Sequence, residues 1–192
     1  LFLGPISLHL LPYKDAFLNA CGFHPFSISF TDLLKKAKQV ASFSTLPLDT
    51  YTKDDLLNLF LTEHVEPSFE PSCITALIHF PKSQAALAEQ LQDSEGFDIA
   101  ERFELFYQGL ELANGYHELK DPEEQRNRLA TEQKLRLDLG KDPLIIDSHF
   151  LEALQKGLPN CCGVAVGVDR LIMLEQKAPS LASIYPIPWD KA

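Results

Sequence analysis

The stretch 102–113, Arg-Phe-Glu-Leu-Phe-Tyr-Gln-Gly-Leu-Glu-Leu-Ala, constrains this chain more than any other. It alternates with period two on both sides of Gln108-Gly109, and a dipeptide ending in Gly suits the two-residue turn of a β-hairpin. With that turn, Tyr107 is expected opposite Leu110, Phe106 opposite Glu111 and Glu104 opposite Ala113. Alternation sends Phe103, Leu105, Tyr107, Leu110 and Leu112 to an apolar face, expected to meet the core. Arg102, Glu104, Phe106, Glu111 and Ala113 share the other face. There Glu104 and Glu111 become diagonal neighbours about 7–8 Å apart. Two carboxylates at that spacing can share Mg²⁺ with phosphate oxygens. A solvated acidic face is the alternative, with Phe106 an unusual member of it.

The second strand continues as Asn114-Gly115-Tyr116-His117-Glu118. Asn-Gly within a strand marks a bulge, a close ligand approach or a plain turn. His117 has no second histidine at metal-ligand spacing and reads as structural or exposed. A later stretch, 163–168, alternates again, with Val164, Val166 and Val168 on one face and Gly163, Ala165 and Gly167 on a nearly bare one. A bare strand face admits either a flat ligand or a tightly packed element. Arg170 falls in the first turn of the helix expected over 169–176. A cation there opposes the helix dipole, so an anionic partner such as phosphate suits this always-charged side chain.

Start and stop signals set the other elements. Helices are expected over 13–21 with Gly22 as the stop, over 31–40, from a Thr52 cap to about His64, and over the Ala- and Gln-rich 83–91. Two more run from an Asp121 cap to Leu139 before Gly140, and over 148–156 between Asp147 and Gly157. A strand is expected over 73–80, closed by Pro81. Residues 1–70 therefore read as a helical and irregular lobe, and 71–192 as a hairpin-bearing unit, in the α+β class.

Composition excludes several functions. The 17 basic residues against 27 acidic ones leave a net charge of −10. Nucleic acid is not an expected partner, because its binding needs a basic face that displaces counterions. No stretch approaches the ~18 apolar residues of a membrane-spanning helix. The apolar run 1–11 is broken by Pro5 and lacks a basic start, which makes a poor signal peptide. Cys21, Cys73, Cys161 and Cys162 have neither CxxC nor zinc spacing, as expected of reduced thiols in the cytoplasm. The sequence starts at Leu1 and its only methionine is Met173, so a trimmed or partial protein is expected.

Segment 163–170, Gly-Val-Ala-Val-Gly-Val-Asp-Arg, with Leu171-Ile172-Met173-Leu174 after it, resembles motif 3 of the class II aminoacyl-tRNA synthetases. Segment 103–119 resembles the strand pair just upstream in lysyl-tRNA synthetase. The run 79–88, His117, and Ala165 where synthetases have Gly are more similar to the elongation factor P–(R)-β-lysine ligases, truncated paralogues without the anticodon domain. The resemblance runs from about Tyr51 onward, is strong over 97–175 and is loose over 1–50. It implies the C-terminal part of the class II catalytic fold, an antiparallel sheet flanked by helices, and amino-acid activation by ATP. It implies that Glu104 and Glu111 hold Mg²⁺–ATP and that Arg170, as a catalytic group, contacts the γ-phosphate. Asn114, Tyr116 and Glu118 would line the amino-acid pocket, Glu118 pairing an ε-ammonium, and Ala165 would shape its wall. The implied partners are lysine or β-lysine and elongation factor P, in a cytoplasmic protein that forms a homo-oligomer, if at all, in a full-length form.

Class II chemistry also uses motif 1, a helix and strand at the dimer interface, and motif 2, an Arg-x-Glu strand and loop whose arginine neutralises the α-phosphate. The five arginines here are Arg102, Arg126, Arg128, Arg136 and Arg170, none of them within residues 1–101. Arg102-Phe103-Glu104 mimics Arg-x-Glu but belongs to the later hairpin. The chain corresponds to the C-terminal half of the catalytic domain and is expected not to form an aminoacyl-adenylate alone. A non-catalytic, synthetase-like binding protein is the alternative. A lysyl-tRNA synthetase fragment is a third, against which Ala165 and the run 79–88 speak.

Overall fold

A mixed sheet organises the chain, with the expected hairpin at its centre. The computed structural model describes residues 6–187. Its strands lie in the order β1 (Leu8–Pro12), β2 (Ile74–Pro81), β4 (Asp98–Tyr107), β5 (Leu110–His117), β6 (Cys162–Val166), and the short β3 (Gln90–Gln92) pairs with the start of β4. β1 runs parallel to β2 and every other pairing is antiparallel. Between β1 and β2 lie α1 (Tyr13–Cys21), α2 (Phe30–Gln39) and α3 (Lys53–Phe60). α4 (Pro122–Asp138) and α5 (Ser148–Gln155) separate β5 from β6, and α6 (Val168–Glu175) follows β6. No helix among the described residues is long and apolar enough to cross a membrane.

Local chemistry sets the helix ends. Gly22 closes α1 at φ +69°, a left-handed conformation that costs glycine little. Ser29 caps α2. Thr52 and Asp55 form a reciprocal capping box on α3, which ends in one π-helical turn, Leu61–Val65. Asp121 and Asp147 accept the first backbone amides of α4 and α5.

Tyr13, Phe17, Leu33, Leu56, Leu57 and Val65 are buried together with Leu77, Phe80, Ala100 and Phe106 of the sheet, so the early helices and the strands share one core. Each Val, Leu or Phe among them contributes about 1.5–3 kcal/mol by leaving water.

The fold departs from the sequence-based expectation in four places. Within the stretch expected to be helical and irregular, Leu8–Pro12 is a strand; the first five residues of the apolar run lie outside the described region. The helix expected over 83–91 is a 3₁₀ turn, Lys82–Gln84, leading into β3. Tertiary partners outweigh its Ala/Gln helix propensity: the Glu89 amide donates to the His117 carbonyl, and the Leu119 amide to the Leu87 carbonyl. In the hairpin, Tyr107 faces Leu110 and Phe106 faces Glu111 as expected, but Leu112 is an extra residue, so Leu105 pairs with Ala113 and Glu104 with Asn114. The carbonyl of this bulged Leu112 accepts from the Gly167 amide at 2.8 Å. The buried face is also the opposite one. Glu104 and Phe106 are 8% and 3% exposed, while Phe103, Leu105, Tyr107 and Leu110 are only half-buried. The early helices cover the face that carries the charges.

Candidate active site

The covered face of the sheet, continued across β6, carries the expected site residues in two rows. One row runs Arg102, Tyr116, Gly163 across β4, β5 and β6; the next runs Glu104, Asn114, Ala165. Residues opposite one another in a ladder share a face, so these six side-chain positions form one continuous patch. Glu111 lies on the same face, opposite Phe106.

Glu104 is ion-paired with Arg102. Burial raises its carboxyl above the usual range, against the pull of Arg102, and the nearby Glu111 charge adds to the rise. Arg102 lies 4.5 Å from the Phe80 ring centroid and 6.0 Å from that of Tyr116, and donates to the Gln84 carbonyl at 3.2 Å. Glu111 sits at the more open end, where Arg170 donates to its carbonyl at 2.5 Å and approaches its carboxylate at 3.3 Å. Gly167 lies beside this arginine, and a Cβ there would make only ordinary contact with the Arg170 side chain at 3.4 Å. Glu104 and Glu111 thus share a face, but each is engaged by its own arginine; no hydrogen bond joins Arg170 to Glu104 among the described residues.

Two features leave room for a ligand. Asn114 Oδ1 is buried and has no hydrogen-bond partner, an acceptor waiting for a donor. Glu118 reaches over the bare Cα of Gly163, so a Cβ there would collide with its carboxylate oxygen at 2.2 Å. A side chain at Gly163 would require the end of the Glu118 side chain to move away. Gly115, within the same Asn-Gly pair, is needed for the Phe103 ring and the Gly163 carbonyl, at 2.4 and 2.6 Å from a virtual Cβ. The Asn-Gly pair continues the strand, and the bulge lies two residues earlier. Ala165 is exposed, as are Val164 and Val166 on the opposite side of β6.

One acidic residue at the site escaped the sequence reading. Glu66 follows the π-helical turn, and its carboxyl is raised by burial and then by the charges of Glu104 and Glu111. No local pattern marks it, because its proximity is purely tertiary. His117 lies off the site: its ring nitrogens meet Glu101 at 2.5 Å and Asn160 at 2.7 Å, the structural role expected of it.

Among the described residues no group of three or more His, Cys, Asp or Glu could hold a metal ion by itself. The donor set is nonetheless hard carboxylate oxygen, of the kind that holds Mg²⁺ when phosphates and waters complete the shell. Glu104 and Glu111 fit that use.

A mixed sheet flanked by helices is the α+β architecture that the sequence led us to expect. The chain belongs to the family of class II tRNA synthetases (D, K and N), which it matches over residues 23–191. Among curated proteins it is 41% identical over 182 residues to the elongation factor P–(R)-β-lysine ligase of Salmonella typhi, covering 95% of this chain and 55% of that protein. To the ligase of the same name from Haemophilus ducreyi it is 40% identical over 180 residues, 94% of this chain and 54% of that protein. The chain thus spans about half the length of the curated relatives it matches.

Proposed function

We propose that this chain is part of, or a truncated paralogue of, an ATP-dependent ligase that activates a lysine-like amino acid and attaches it to elongation factor P. The observation that carries this reading is the row Glu104, Asn114, Ala165 beside Tyr116 and a Gly163 cradled by Glu118. It sets hard carboxylate, an unpaired acceptor and a second carboxylate at successive positions on one face. Glu104 and Glu111 would hold Mg²⁺, which would neutralise phosphate charge, and Arg170 would bind the γ-phosphate. Asn114 would accept from the substrate's backbone ammonium, Tyr116 would wall its aliphatic stem, and Glu118 would pair its ε-ammonium. Ala165 would bound the pocket where the amino group sits.

A non-catalytic binding role is the second reading, favoured by the lack of any arginine within residues 1–101. Losing one group that stabilises transition-state charge costs about 10²–10³ in rate. The 192-residue chain is therefore expected to bind Mg²⁺·ATP more tightly than Mg²⁺ alone, yet to show no ATP–pyrophosphate exchange with lysine or β-lysine. Isothermal titration and the exchange assay test both. Binding of Mg²⁺·ATP that is unchanged in Glu104→Gln and Glu111→Gln would remove the proposed site. Exchange at the rate of a complete ligase would remove the second reading.

A further inference from the structure

Arg102 is used more heavily than a hairpin arginine needs to be. Its guanidinium is ion-paired with Glu104, bonds the Gln84 carbonyl, lies over Phe80 and stands directly opposite Tyr116 in the ladder. Its Nε is buried with no hydrogen-bond partner, although a purely structural arginine gains by satisfying every donor. The same side chain lines a cleft of about 850 Å³ together with Glu104, Gln84 and Phe80. The fold takes a strained route to build this arrangement. The β2–β4 register shifts between Ile78 and Phe80, and the intervening His79 sits at φ +61°, a left-handed value uncommon for any residue but glycine. Without that shift, alternation from Leu77 would send Phe80 to the other face; with it, Phe80 pairs with Ala100 and its ring lies under Arg102.

We propose that Arg102 is a positioning residue that couples the nucleotide carboxylate Glu104 to the amino-acid wall at Tyr116. This deepens the functional reading above and rests on it. The guanidinium holds one oxygen of Glu104 through its ion pair and reaches the Tyr116 ring at 6.0 Å from its centroid, the outer range of a cation–π contact. A ligand that moves either side chain therefore biases the other. By linkage, the amino acid then strengthens Mg²⁺·ATP binding by the same factor as Mg²⁺·ATP strengthens that of the amino acid.

Two measurements on the full chain test this. First, urea midpoints are measured for Glu104→Gln, Tyr116→Leu and the double variant, each with Arg102 intact and with Arg102→Met. The two changes are expected to be non-additive with Arg102 present and additive without it; a merely structural arginine would lower every midpoint and leave the additivity unchanged. Second, titrations with Mg²⁺·ATP and with L-lysine or β-lysine, alone and together, are expected to show a coupling factor of about 5 or more that vanishes in Arg102→Met. Arg102→Lys keeps a charge beside Glu104 but loses the planar stack, so it is expected to keep Mg²⁺·ATP affinity and lose the coupling; it also serves if Arg102→Met does not fold. Additive midpoints with Arg102 present, or ligand coupling that survives its removal, overturns the proposal. Midpoint coupling in a chain that binds neither ligand removes the functional reading instead and leaves Arg102 as the coupling element.

Discussion

The two ends of the charged face are built differently. At the β2–β4 end, Glu104 and Phe106 lie under the early helices, Phe106 packs against Phe69 at 5.2 Å between ring centroids, and the Arg102–Glu104 pair is shielded from water. At the β6–α6 end nothing in α6 is buried, Val164 and Val166 are about half exposed, and the Arg170–Glu111 pair is only partly covered. One sheet thus holds one carboxylate by burial and the other by an exposed contact. The buried end fixes geometry at the cost of desolvated charge; the open end leaves its groups free to meet a ligand but adds little to folding.

The sharpest break between the ends is in packing. Phe106→Ala is expected to destabilise the chain by about 3–5 kcal/mol and Val166→Ala by no more than about 0.5 kcal/mol, measured by urea denaturation. Similar costs would show that the β6 end is as covered as the other. The ion pairs sharpen the contrast. Arg102→Met strands Glu104 and is expected to cost about 3–5 kcal/mol, whereas Arg170→Met is expected to cost less than about 1 kcal/mol. Losing Arg102 pushes the already raised Glu104 carboxyl further up. The folded chain then holds a proton that the unfolded chain releases, so the stability of Arg102→Met falls as pH rises from the usual carboxylate range through that raised value. A pH-independent cost would mean that Glu104 is not the stranded charge.

A smaller effect is expected at the open end, where Ala165 faces solvent beside Asn114. Removing its methyl widens the wall where an α- and a β-amino group differ by one carbon. Ala165→Gly is expected to shift preference toward α-lysine by about 1–3 kcal/mol, read as the ratio of the two affinities in competition binding with Mg²⁺·ATP. An unchanged ratio would take Ala165 out of the selectivity account.

The smallest effect is expected at His117, which ties β5 to the loop before β6. Acceptance by Asn160, then by Glu101, raises its pKa above the ordinary histidine value. Its contribution is therefore fully present below the ordinary histidine pKa and is lost as pH rises through the raised one. His117→Ala is expected to flatten that part of the stability–pH curve; an unaltered curve would exclude the clamp.

Much of this was legible locally. Gly22, Thr52, Asp121 and Asp147 mark helix ends because capping is decided within a few residues. Gln108-Gly109 marks the turn because both residues adopt positive φ. The two carboxylates could be placed on one face because a strand alternates whatever its surroundings, whereas Asn114 and Tyr116 reach that face only because the extra residue Leu112 shifts the alternation after Glu111. What was not legible depended on distant partners. The bulge at Leu112 answers to the Gly167 amide, β3 forms because β4 offers it a ladder, and Glu66 comes near Glu104 only through the packing of the π-helical turn. The inverted faces have the same origin: apolar alternation shows that two faces differ, but not which one the helices will cover.

The parallel β1–β2 ladder has a consequence for how the chain acquires its shape. Leu8 meets Ile74 only after α1, α2 and α3 have all been laid down between them. Closing so long a stretch carries an entropy penalty before any contact rewards it, whereas the β4–β5 hairpin closes across two residues. The hairpin, with Glu104 and Asn114 already opposite each other, is thus placed to form early and β1 to dock late. The strand that docks last sits at the sheet's edge, so opening there releases α1 and the Tyr13 and Phe17 rings beneath the buried end while the hairpin stays paired.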